Sequence, residues 1–87
     1  MANIRIEEID ASIYQVTVVA QTTSIHIVTV EADYAQKLSH GRIDNITLLK
    51  KSFEFLLQRE PNTSILRSFD LSVISRYFPE YESEMHL

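Results

Sequence analysis

The sequence predicts an α+β fold: a small antiparallel sheet made by an N-terminal hairpin plus a third strand, followed by helices packed on one face. Three observations predict it. Apolar residues alternate with polar ones from Tyr14 onward, with many β-branched side chains. From Asp33 the spacing lengthens to helical period, punctuated by Gly41, Pro61 and Pro79. Strands that precede helices in this way suit a sheet with helices segregated to one side.

In "IYQVTVVAQTTSIHIVTVE", Tyr14, Val16, Val18 and Ala20 form one parity, and Gln15, Thr17, Val19 and Gln21 the other. The next run, Ile25 to Glu31, is apolar on both parities, so the turn must set its faces. A two-residue turn at Thr22 and Thr23 sets Val16 against Thr29 and lacks the Gly or Asn such turns favour. A three-residue loop, Thr22 to Ser24, pairs Val18 with Val28 and Val16 with Val30, which segregates the faces better. His26 then lies on the apolar face opposite Ala20. "NIRIEEI" makes a further strand with Ile4 and Ile6 on one face, separated from the hairpin by a bend at "DAS".

The helices follow from their caps. Asp33 to about Ser39 is a short helix that Gly41 ends in the left-handed conformation. Asp44 or Asn45 caps a second, which runs to Arg59 or Glu60 before Pro61. "NTSILRSF" contains one helical turn, and Asp70 caps a last helix, "LSVISRYF", closed by Pro79. The chain of 87 residues makes one domain, 1–87, with 80–87 an acidic tail expected to fray.

On a wheel, Ile46, Leu49, Phe53, Leu56 and Leu57 share an arc of roughly 100°, an ordinary core stripe. Leu48 and Phe55 fall well outside it. The second helix is therefore expected between two supports, the sheet and either the C-terminal helices or a second protomer. Leu48, Phe55, Phe69, Tyr77 and Phe78 form the candidate interaction surface, for a homodimer or another protein.

Composition excludes several chemistries. There is no cysteine, hence no disulfide, thiolate zinc site or cysteine nucleophile. The single glycine rules out glycine-rich phosphate loops. His26, His40 and His86 form no metal-binding spacing. Asp33, Tyr34, His26 and His40 carry no catalytic motif, and Ser52 or Ser64 would need a distant histidine. No catalytic, cofactor or metal residue is assigned. A net charge of −4 disfavours nucleic acid, although Lys37, Arg42, Lys50 and Lys51 make a weak basic patch. The N-terminus lacks an apolar signal core and no stretch is long enough to span a bilayer, so the cytoplasm is the expected location. The expected function is that of a small non-enzymatic interaction module, with a nucleic-acid regulator and a small enzyme as alternatives.

The run "SFEFLLQREPNTSILRSFDLSVISRYFPEYE", with "IHIVTVEADYAQKL" upstream, resembles small uncharacterised bacterial proteins of similar length, from about Tyr14 onward. The resemblance implies a bacterial, cytoplasmic, single-domain protein and brings no activity, ligand or site residue with it.

Overall fold

A computed structural model describes residues 2–85. Strands β1 (Asn3–Asp10), β2 (Ile13–Val19) and β3 (Thr23–Thr29) come first. Helices α1 (Ala32–Ser39) and α2 (Asn45–Leu57) follow. A 3₁₀ turn, Asn62–Ser64, leads to a fourth strand, β4 (Ser68–Asp70). A second 3₁₀ turn, Leu71–Val73, then leads to α3 (Ile74–Tyr77) and α4 (Tyr81–Met85). The α+β class is as the sequence predicts. Among the described residues no helix is long and apolar enough to cross a membrane.

The sheet has the order β1-β2-β3-β4 and is mixed rather than purely antiparallel. β4 joins β3 in parallel, setting Val28 beside Phe69. The sequence gives this strand no signal: three residues are too few to show a period. What fixes it is long range, beginning with the Ile27 N–H donating to the Arg67 carbonyl at 2.7 Å.

The β2–β3 loop has three residues, as expected, but they are Ala20 to Thr22. Val19 pairs with Thr23, Val16 with His26 and Tyr14 with Val28. The register thus differs from the expected one by an even number of positions. Side chains alternate with period two, so the face assignment survives while every pairing changes. Tyr14, Val16, Val18, His26 and Val28 are buried on the helix side. Ile25 and Val19 remain exposed on the other face.

Two consecutive residues end α1 in the left-handed region, His40 at φ 54° and Gly41 at φ 73°. The Asp44 carboxylate caps α2 by accepting from the Thr47 N–H at 2.8 Å. That cap sets the helix at Asn45, and its last helical residue is Leu57, short of Arg59.

Helix α2 is sandwiched within one protomer. Phe53 meets the sheet side, 5.4 Å from the His26 ring and 6.2 Å from Phe69. On the other side Phe55 stands edge-on to Phe78 at 5.9 Å and to Tyr81 at 5.3 Å. Leu48 and Phe55 are both buried. The wheel errs at Ile46, which is 46% exposed. Ser52, which the apolar stripe does not include, is fully buried in the middle of the arc that Leu48, Leu49, Phe53, Phe55 and Leu56 complete.

Over the described residues the acidic tail forms α4. Tyr81 and Met85 are buried, and the Ser52 hydroxyl explains how. Its proton goes to the Leu48 carbonyl at 2.8 Å, so the Tyr81 hydroxyl, 2.6 Å away, donates to the serine oxygen. A buried phenol is thereby satisfied, and burial pushes its pKa well above the usual tyrosine value. Arg59 ties the same helix down from outside. It donates to Glu80 at 3.1 Å, to Glu84 at 2.9 Å and to the Phe55 carbonyl at 3.0 Å, with its guanidinium 3.6 Å over the Phe55 ring. His86 and Leu87 lie outside the described residues.

Candidate functional site

The five residues of the expected interaction surface separate in the structure. Leu48, Phe55 and Phe69 are buried inside the protomer, Phe78 is half-buried and Tyr77 is exposed. The physical reason is the C-terminal segment, whose aromatic residues cover the second apolar flank of α2. A helix-face dimer through Leu48 and Phe55 therefore loses its surface.

What remains open is a hollow of about 190 Å³ between the end of α2, β4 and α3. Ile65, Phe69 and Ile74 are among the residues that line it, and Glu60 is also part of the wall. Leu66 and Tyr77 also border it and stand 46% and 66% exposed. The chain folds this way because Pro61 ends the reach of α2 and β4 turns back along the sheet, leaving α3 to close the far side. The Glu60 carboxylate has no ion-pair partner among the described residues. Burial raises its pKa above the usual carboxylate value.

A second, polar constellation lies beside it. The Asn62 amide donates to the Thr22 carbonyl at 2.7 Å and to the Ser24 hydroxyl at 2.8 Å. Ser24 Oγ is 2.8 Å from His26 Nε2, and His26 Nδ1 is 2.7 Å from the Leu66 carbonyl. A carbonyl only accepts, so Nδ1 carries a proton and a neutral ring accepts from Ser24 at Nε2. Every group in this chain is then satisfied. Serine and histidine stand at the spacing of a nucleophile and its base, but the group behind the histidine is a neutral carbonyl. The ring itself is 1% exposed and packed on Phe53. The arrangement works as a latch between the β2–β3 hairpin and the segment entering β4.

The other candidate catalytic residues have separate surroundings. The Tyr34 hydroxyl donates to Glu82 at 2.8 Å, across α1 and α4. Burial, followed by that hydrogen bond, raises the Tyr34 pKa well beyond its ordinary value. His40 is held by backbone geometry at the end of α1, and Asp33 is exposed in its first turn. Ser52 bonds Tyr81, and the exposed Ser64 lines the apolar hollow. Among the described residues no group of three or more His, Asp or Glu side chains could hold a metal ion.

The basic patch disperses too. Lys37 pairs with Glu82 at 3.6 Å and sits 5.9 Å from the Tyr34 ring centre. Arg42 is exposed in the turn after α1. Lys50 borders a shallow hollow beside Ile4, and Lys51 a different one beside Glu84 and Met85. Carboxylates accompany Lys37, Lys50 and Lys51, which is unlike the clustered positive charge that phosphate contacts need.

Reasoning from sequence missed the hollow, the latch and the Arg59 clamp. Only the clamp left a trace, in the run of Glu80, Glu82 and Glu84 that follows Pro79. Comparison with protein-family models, with characterised proteins and with solved structures finds no match to this chain.

Proposed function

We propose that the chain is a small non-enzymatic interaction module that receives an apolar side chain of a partner protein in the hollow beside Tyr77. The carrying observation is that hollow: apolar, open, and bordered by an exposed tyrosine and an unpaired carboxylate. Its size argues for a side chain rather than a cofactor, because small-molecule pockets usually run to about 300–1,000 Å³. Tyrosine at such a rim offers an apolar ring and a polar tip, the combination favoured at interfaces. A lysine or arginine flanking the anchor would stabilise the ionised form of Glu60, which burial disfavours.

The test is an amide-shift titration of the labelled protein with short peptides carrying one Leu or Phe flanked by Lys, and matched peptides flanked by Glu. The Lys-flanked peptides should move the Ile65, Leu66 and Phe69 amides, and Tyr77→Asp should abolish the effect. No shift with any peptide, or shifts unchanged by Tyr77→Asp, would refute the reading.

A further inference from the structure

The free edge of β1 is the second surface with something to say, and it is independent of the hollow. β1 is an outer strand, so among the described residues one side of its backbone has no strand partner in the protomer. It is eight residues long, whereas the opposite edge strand, β4, has three. Proteins usually blunt a long edge with proline, charged side chains (lysine above all) or a bulge. β1 has neither proline nor lysine, and its register irregularity falls only at the far end, between Glu8 and Asp10. The charges at Arg5, Glu7 and Glu8 are of both signs, so a matching register can pair them.

We propose that β1 pairs antiparallel with β1 of a second copy of this chain about a two-fold axis at Ile6, giving one continuous sheet across both protomers. The register follows from geometry and charge. A two-fold axis that brings identical edges together stands perpendicular to the sheet, so both helix layers lie on the same face. Residues directly opposite must then share a face, which allows only every second register. One allowed register sets Arg5 against Arg5, and another sets Glu7 against Glu7. The register between them centres on Ile6 and sets Arg5 of each copy opposite Glu7 of the other, twice by symmetry. Opposite charges directly across a ladder stabilise it, and like charges destabilise it.

The helix side of the same register agrees. Glu8 lies directly opposite Tyr14 in the protomer, so it shares the face of Ile4 and Ile6. In the proposed pairing Glu8 of the second copy falls across from Ile4. Ile4 borders the hollow that Lys50 also lines, where among the described residues Lys50 is the single cation and Glu54 the single anion. Among the described residues Arg5, Glu7, Glu8 and Lys50 have no ion-pair partner within the protomer. The pairing thus uses four charges that the fold leaves unused. It also covers Ile4, Ile6 and Leu57, which are half-buried where the core runs out at this edge.

Sedimentation of the full chain tests the proposal by charge swapping. Wild type should be dimeric at low salt. Arg5→Glu alone and Glu7→Arg alone should each weaken the dimer by about tenfold or more, corresponding to roughly 1.4 kcal/mol. The double swap R5E/E7R should restore it. An equimolar mixture of the two single variants should form a heterodimer, because each then supplies the charge the other lacks. Both positions are exposed, and matched thermal unfolding of the monomers confirms that the fold is intact. A wild type still monomeric at about 100 μM would overturn the proposal. So would a dimer of equal strength in all four proteins.

Discussion

Strands β1 to β3 hold one another through backbone ladders between chain neighbours, whereas the segment from Arg59 to Met85 is held by side chains that reach much further. Arg59 to Glu80 spans 21 positions, Tyr81 to Ser52 spans 29, His26 to Leu66 spans 40 and Tyr34 to Glu82 spans 48. Backbone pairing tolerates many side chains, because the ladder is made of groups every residue carries. Side-chain pairing does not, because each bond depends on one particular residue. The two regions should therefore respond very differently to single substitutions.

The largest effect is expected at Tyr81. Tyr81→Ala removes a fully buried aromatic side chain and should cost about 3–5 kcal/mol in denaturant unfolding. Tyr81→Phe should cost only about 1 kcal/mol, because Ser52 keeps its bond to Leu48. Equal losses for both would mean that the hydroxyl pair, and not the packing of α4, holds the segment. Next comes Asn62→Ala, which removes two hydrogen bonds to the hairpin and should cost about 1–3 kcal/mol. Thr17→Ala, on the open face of β2, is the matched control and should cost less than about 1 kcal/mol. If the two substitutions cost the same, the contrast between the regions fails.

The smallest effect is a pH dependence at Glu60. Burial raises its pKa in the folded state, so the folded chain binds that proton more tightly than the unfolded chain. Ionised Glu60 therefore costs stability at neutral pH, and the cost disappears as pH falls through the raised folded value. Glu60→Gln should raise the melting temperature slightly at pH 7 and leave it unchanged in acid. A gain that persists in acid would have a source other than charge.

The contrast also explains what could be read in advance. Strands β1 to β3, the caps at Asp44 and Asp70 and the need to sandwich α2 were legible, because each depends on residues close together in sequence. The sandwich could be foreseen, and its outer layer was narrowed to the C-terminal helices or a second protomer. Phe55 announces that something must cover it, and only the fold shows that Phe78 and Tyr81 do so. The burial of Ser52 left no signal for a related reason. A serine reads as polar surface until the tyrosine that bonds it is known. The register failed at the loop, since Thr22, Thr23 and Ser24 look no less turn-like than Ala20, Gln21 and Thr22. The hollow beside Tyr77 was invisible because Ile65, Phe69 and Ile74 meet there only after β4 docks.

The brevity of β4 bears on how the molecule assembles. Its parallel pairing with β3 closes roughly forty residues of intervening chain, and the entropy of such closure must be met before any contact rewards it. Three residues of ladder meet little of it unaided, which predicts that β4 docks after α1 and α2. The same strand should be the first part of the sheet to open in native-state hydrogen exchange. Each such opening would dismantle the wall of the hollow that Phe69 supplies, so occupancy of that hollow and protection of the Ile27 amide should rise together.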